Sequence, residues 1–516
     1  MTSKTLASGG ALFLGALASS LGLAFLAPAC SSSGGSAGVT GKADAGLGDD
    51  GGTSLLGGDT SVTGTSPPGC TGLQCQQHTC GSATTTLSGH VYDPAGKNPL
   101  YKVVVYVPNS DPEPIADGIT SGSCSCDSLF TGDPIATAIT DADGKFTLYG
   151  APDGTDIPLV VQIGKWRNYF TIPKVSECTA NDLDTLLSSK LTLPKTQNET
   201  KFSNIPSIAI STGQADSLEC LLLRVGVDAS EYTGDPTSTA SHIHIFAGTP
   251  VQGTVPNTNP PGPSSSGTGG LWDTDGDIDR YDVVLLSCEG TETGSPSPAV
   301  LADYVNGGGR VFASHYHYAF FFDDQTNMAT PEFANVADWT LAYQGATGSD
   351  DYGSSLNATI ATTLGDGGSF PEGVALGQWL GNVGALSSGD LPIVVGRHDG
   401  VVGPTNVSTV WASSTGVTPA SSQYFSFDMP FDAGLDDAGN REYCGRVVYS
   451  DLHVGAGEGD YGCTGDPNNC TYTGTTPSGC HQGTLLPDED AIEFILFDLS
   501  SCVTPVSSAP QPPQPK

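Results

Sequence analysis

The stretch LADYVNGGGRVFASHYHY, residues 301–318, decides the fold. Val300 to Val305 has helical spacing, Gly307-Gly308-Gly309 ends the helix, and Arg310-Val311-Phe312-Ala313-Ser314 is apolar enough to enter a sheet covered on both faces. A helix delivered straight into an apolar strand is the connection that a parallel sheet requires. The same alternation runs outward in both directions. Upstream, Ile205 to Ile210 is a strand that passes through Thr212-Gly213-Gln214-Ala215-Asp216 into a helix bearing Leu218, Leu221, Leu222 and Val225. His242 to Phe246 and Tyr281 to Ser287 are further strands. Downstream, Val447 to Ser450 is a late strand. Asp488 to Ser501 is a closing helix, with Pro487 before it and Ile492, Ile495, Leu496 and Leu499 facing inward.

This grammar predicts an α/β domain over 201–503, built on a flavodoxin-like doubly wound parallel sheet. Residues 84–200 read differently. Ser88 to Tyr92, Val103 to Val107, Phe146 to Leu148 and Ile157 to Ile163 are short strands separated by turns such as Asp93-Pro94-Ala95-Gly96 and Asp141-Ala142-Asp143-Gly144. Such spacing predicts an all-β sandwich, so the fold class is multidomain: N-terminal sandwich, C-terminal α/β sheet. Residues 504–516 form a Pro-rich extended tail.

Residues 1–29 carry Lys4 as their one charge, then an apolar run ending in Ala27-Pro28-Ala29-Cys30, as a secretory signal does. Residues 30–83 are dominated by Gly, Ser, Thr and Ala up to Pro68, and read as a flexible tether. Against 18 Lys and Arg stand 55 Asp and Glu, a formal charge of −37. So negative a surface repels phosphate backbones and argues against a nucleic-acid partner. Beyond Cys30 there are thirteen more cysteines, which an oxidising compartment would pair, leaving one over. Pairing is expected within each domain, with Cys288 or Cys220 as the odd thiol and the 444–502 group stapling the Ala456–Gly483 insertion.

Ligands of open α/β sheets lie at the carboxyl ends of the strands. Those ends supply Cys288 and Glu289, then His315, Tyr316 and His317, then Asp451 and His453. Cys288 beside Glu289 and facing histidines is a candidate nucleophile. His315, His317, Asp451 and His453 are candidate metal ligands, the two first because residues two apart share a face of an extended strand. Asp273, Asp275 and Asp277 form an acidic loop that approaches a calcium pattern, although Ile278 and Val284 occupy positions where an EF-hand has glycine and glutamate. A divalent cation, calcium or a transition metal, is the cofactor these residues admit. His242 and His244 alternate in the same way.

Three family resemblances add to this reading. The start of the chain resembles a bacterial lipoprotein signal, which implies lipidation of Cys30, a membrane partner through that anchor, and an outer-membrane or cell-surface location. The passages SGHVYDPAGKNPLYKVVVYV and ATAITDADGKFTLYGAPDG resemble the carboxypeptidase regulatory-like family, which implies a structural or adhesive sandwich. LADYVNGGGRVFASHYHY and GRVVYSDLHV resemble the trehalose-utilisation (ThuA-like) branch of the class I glutamine amidotransferase-like fold, whose histidines would fall on His315 and near His453. The amidotransferases place a nucleophilic cysteine where this chain reads Ser314-His315-Tyr316, so glutamine hydrolysis is not expected. Two functions follow: a non-catalytic surface protein binding carbohydrate or protein on a degenerate scaffold, or an exported metal-assisted or Cys/His-dependent hydrolase of carbohydrate or peptide. Convergence of His315, His317 and His453 on one cleft favours the hydrolase, and dispersion of these side chains the scaffold.

Overall fold

A computed structural model describes residues 65–516, apart from 120–123, 125, 214, 249–259, 264–269, 273–274, 294–295, 343–354, 437–438, 440, 454–479 and 481–482; the side chains of residues 126, 127, 275 and 276 are also outside the description. The signal segment, Cys30, most of the tether, Asp273, the Asp275 side chain and nearly all of the Ala456–Gly483 insertion therefore lie outside the described residues.

The N-terminal half is built from two four-stranded sheets. In one, β1 (Thr86–Tyr92) is central. The other uses β2 (Val104–Pro108), β3 (Pro134–Ile139), β5 (Gly154–Ile163) and β6 (Trp166–Val175) in the order β3-β2-β5-β6. The partners of β1 are β4 (Lys145–Tyr149), antiparallel, and the short β7 (Ala180–Asp182) and β8 (Leu191–Thr192), parallel. Alternate residues of β1 and β4 are buried, so Leu87, Val91, Phe146 and Leu148 share a core with Val105, Val107, Leu159 and Val161. Residues 65–83 are tied to this body by the Cys80–Cys178 disulfide and by Gln77 Nε2, which donates to the Ile135 (3.0 Å) and Gly150 (2.7 Å) carbonyls. The Pro-rich tail lies against β3, where Thr137 Oγ1 donates to the Pro513 carbonyl (2.7 Å) and the Lys516 N–H donates to the Pro134 carbonyl (2.8 Å).

The second half is one ten-stranded sheet. Its strands are β9 (Ile208–Thr212), β10 (Tyr232–Thr233), β11 (Ile243–Ala247), β12 (Val283–Leu286) and β13 (Arg310–Ser314). A small hairpin, β14 (Phe322–Asp323) with β15 (Met328–Ala329), precedes β16 (Leu356–Ile360) and β17 (Leu391–Ile393). After the short β18 (Val395–Gly396) come β19 (Thr409–Thr415), β20 (Ser422–Met429) and β21 (Gly445–Ser450), and β22 (Leu452–His453) pairs with β18. The order is β10-β11-β9-β12-β13-β21-β20-β19-β16-β17. From β10 to β21 all neighbours are parallel; from β21 to β17 all are antiparallel. The expectation of a wholly parallel sheet is thus corrected. The link between β19 and β20 is too short for a crossover, so that pair must run antiparallel.

The described helices are the single turn α1 (Leu183–Leu186), then α2 (Leu218–Arg224), another single turn α3 (Asp275–Ile278), α4 (Pro298–Asn306), α5 (Pro371–Val383) and α6 (Pro487–Ser500). The last is buried all round from Ala491 to Leu499, because it touches β5 of the sandwich on one side and β13, β17 and β21 on the other. Phe494 packs between Tyr101 and Trp379, and Phe497 meets Trp166 edge-on. Arg224 grips Glu489 bidentately, while Glu489 also accepts from the Leu486 N–H (2.7 Å) at the start of α6. One apolar core consequently runs from the sandwich into the sheet.

That continuity overturns the expectation that disulfides stay within each half. Cys124 of the sandwich bonds Cys444, next to β21 (Cα–Cα 4.7 Å). The sandwich loop at Ile119 is hydrogen-bonded to Asp279, and Lys165 pairs with Asp282. Cys220 is bonded to Cys480, which removes it as the odd thiol. Cys288 is the free cysteine among the described residues, as expected.

Where α6 meets the sandwich turn, Asp93, Asp490 and Glu493 gather around Lys97 and Asn98. Burial pushes Asp488 and Asp490 up to about 7 and Asp93 to about 6, and drives Glu493 well above its ordinary value. Raised carboxyls mean that the folded chain binds more protons than the unfolded one between about pH 4 and pH 7. Their contribution is complete below pH 4 and is lost as pH rises through 7. The melting temperature should therefore be higher at pH 5 than at pH 8, a trend that differential scanning calorimetry would test; a rising midpoint over that interval would contradict it.

Candidate functional site

The carboxyl ends of β9, β12 and β13 meet at one point, next to β22. The chain leaving β9 passes so close to β12 that a Cβ at Gly213 would overlap the Cys288 carbonyl. Ala215 N–H then donates to that carbonyl (3.0 Å), and Cys288 N–H donates to Asp216 Oδ2 (2.9 Å). Asp216 is thereby set beside the thiol. Ser314, the last residue of β13, donates to the same carboxylate oxygen.

His315 follows with φ 42°, a left-handed conformation that non-glycine residues seldom adopt. It forms the corner between β13 and a short 3₁₀ turn, His315–Phe320, and Tyr449 OH donates to its carbonyl (2.9 Å). The corner aims the imidazole at two partners. Nδ1 lies 3.3 Å from Cys288 Sγ, and Nε2 lies 3.1 Å from Asp399 Oδ2. His453 stands edge-on to it, ring centroids 4.8 Å apart, with its own Nδ1 3.0 Å from Asp216 Oδ1. Cys288, His315 and His453 can each offer a ligand atom within 4.8 Å of those of the other two.

Electrostatics follow from burial: Cys288, His315, His453, Asp216, Asp399 and Asp451 are each at most 2% exposed. Burial, and next the Asp216 charge, pushes the Cys288 thiol well above its ordinary value, against the N–H groups of Tyr316 and Gly290. Burial would raise Asp216 too, but His453, Ser314 and the Cys288 N–H outweigh it and hold that carboxyl below its usual range. Asp451 is driven well above the carboxylate range by burial and by the neighbouring Asp399, although it accepts from the Asp399 and Gly400 N–H groups, each 3.2 Å away. Asp451 thus lies behind Asp399, whose Oδ2 in turn faces His315 Nε2.

Other expected site residues fall elsewhere. His317 does not join the cluster, because a 3₁₀ turn puts residues two apart on different faces. Its ring faces the Ser314 carbonyl (3.2 Å) and stacks on Phe320, and burial lowers it to about 4. Asp451 lies behind Asp399, away from the ligand set. Tyr316 packs its ring 3.9 Å from that of His315. Glu289 is buried beside Gly248, at the end of β11. Asp277 pairs with Arg280 (3.5 Å), and the calcium-like loop enters the single-turn helix α3. His242 Nδ1 faces Glu231 (3.4 Å), and the His244 ring lies between Tyr281 OH and the Ser241 carbonyl.

Sequence reasoning missed Asp216 and Asp399. Asp216 stands at the end of a strand, and the rule that located Cys288 and His315 would have found it. Asp399, within Arg397-His398-Asp399-Gly400, follows a strand that pairs with β22 (Val395 opposite His453), and nothing local announces that pairing.

No family model matches this chain, and no curated protein does. Among solved structures, a 9R-lipoxygenase from Cyanothece PCC8801 aligns over 28% of this chain and 22% of its own, at 16% identity and TM-score 0.13, too low to bear on fold or activity.

Proposed function

We propose that the protein is an exported hydrolase whose centre is the cluster of Cys288, His315 and His453, held by Asp399 and Asp216. The observation that carries this reading is the position of His315 between Cys288 Sγ (3.3 Å from Nδ1) and Asp399 Oδ2 (3.1 Å from Nε2), a base between an attacking group and a carboxylate. Two hydrolytic chemistries use such groups. In one, His315 removes the Cys288 proton, and the thiolate attacks an ester, peptide or glycosyl centre. The alcohol or amine it expels takes that proton from His315, and water then cleaves the bond to sulfur and restores the thiol. In the other, the three residues would hold a metal ion, and the chemistry it would supply is the activation of water as a nucleophile. The strand order β11-β9-β12-β13-β21 supports a flavodoxin-like reading of the parallel half, with the cluster beside the switch point between β9 and β12. On the ThuA-like reading, His315 stands where the amidotransferases carry their nucleophile. The signal-like start and Cys30 support export and lipid anchoring, with carbohydrate or peptide at the cell surface as substrate; Cys30→Ser should shift the protein from the membrane fraction to the medium.

The test is a screen of the purified chain against peptide, ester and glycoside libraries, with His315→Asn beside it. We expect hydrolysis in one class and a loss of about 100-fold or more in the variant; activity unchanged by the substitution would exclude this centre. A second reading, a non-catalytic binding scaffold, is favoured by one observation, the near-complete burial of the cluster. Absence of turnover in every library would favour it.

A further inference from the structure

We infer that Cys288, His315 and His453 form a three-ligand site for a soft divalent transition metal, zinc foremost. This rests on the reading of the cluster as the functional centre, and assigns Cys288 the role of ligand. The first observation is distance. Ligand atoms from all three residues lie within 4.8 Å of one another, and the thiol–imidazole edge is 3.3 Å. Bonds of about 2.3 Å to sulfur and about 2.0–2.1 Å to nitrogen put neighbouring ligands of a tetrahedral ion roughly 3.5 Å apart.

The second observation concerns what stands behind the ligands. Each imidazole presents one nitrogen to a buried carboxylate, His315 Nε2 to Asp399 (3.1 Å) and His453 Nδ1 to Asp216 (3.0 Å). That is the outer arrangement by which ligating histidines are oriented and made more basic. A thiol–histidine–aspartate mechanism accounts for Asp399 alone and has no use for the His453–Asp216 pair. With a metal, both pairs act alike. Asp216 also accepts from the Cys288 N–H, so one carboxylate fixes two ligands.

Donor chemistry narrows the metal. One thiolate with two imidazoles favours zinc and its late first-row neighbours over calcium or magnesium, which prefer all-oxygen sets. Binding replaces the S–H bond by an S–metal bond and releases that proton to solvent. Three protein ligands leave a fourth tetrahedral position for water or substrate.

The experiment is cobalt(II) titration of the chelator-treated, full folded chain, followed by competition with zinc. We expect one equivalent to bind, with a thiolate-to-cobalt charge-transfer band that zinc abolishes. Cys288→Ser should lose the band, and Asp216→Asn should keep it while weakening affinity about 10–100-fold. No band and no stoichiometric uptake by the wild-type chain would overturn the inference without need of any variant. Hydrolysis that survives chelation and is lost on thiol alkylation would also overturn it, while leaving the hydrolase standing. A bound metal with no turnover in any library would uphold the site and reject the hydrolase.

Discussion

Arg446→Met should destabilise the fold by about 3–5 kcal/mol, the usual consequence of removing one partner from a buried ion cluster. Arg446 lies on β21, 1% exposed. Its Nε and Nη2 donate to Asp428 on β20 (2.6 and 3.1 Å), and its Nη1 donates to Asp498 on α6 (3.1 Å) and lies 3.6 Å from Glu372 on α5. Lys102, from the sandwich, pairs with Glu372 and Asp498 as well. Two cations thus serve three carboxylates drawn from three elements. Burial favours the neutral acid at Glu372 and Asp498; only at Asp498 do Lys102 and Arg446 outweigh that penalty and hold the carboxyl below its ordinary value. Methionine fills the space but leaves Lys102 alone with the acids. Urea unfolding followed by circular dichroism measures the change. A cost below about 1 kcal/mol, the range of exposed pairs, would mean that water shares the cluster. The exposed Lys201–Asp111 pair (2.8 Å) is the control, and its removal should leave the midpoint in place.

Opening the Cys124–Cys444 disulfide should cost about 2–5 kcal/mol, chiefly because the bond closes a very long loop of the unfolded chain. The sequence separation is 320, against 5 for Cys70–Cys75. Cys124→Ser with Cys444→Ser should therefore lower the denaturant midpoint far more than the same change at Cys70 and Cys75. Equal effects at the two sites would show that loop length is not what counts here.

Parts of this architecture could be read directly from residues. The apolar runs at Ile208, Val283, Val311 and Val447 marked the parallel strands, because such strands are buried on both faces and tolerate little else. The long-range half could not be read so. β16 (Leu-Asn-Ala-Thr-Ile) has one polar face, and the serines of β19 and β20 disguise them as loops. The site divides in the same way. Cys288, His315 and His453 stood out because they follow recognisable strands. Asp399 did not, since its place depends on β18 pairing with β22, a contact without local signature. His315 and His317 shared a face only on the assumption of extended backbone; the turn at φ 42° removed it.

The position of α6 bears on when the chain folds. It follows the strands of both halves in sequence, and sandwich and sheet share one core with it. The core that spans both halves is therefore incomplete until Pro487–Ser500 has joined it. Contacts between such distant parts of a chain form late and slowly. Joining the two halves should thus be slower than forming the local hairpins of either one.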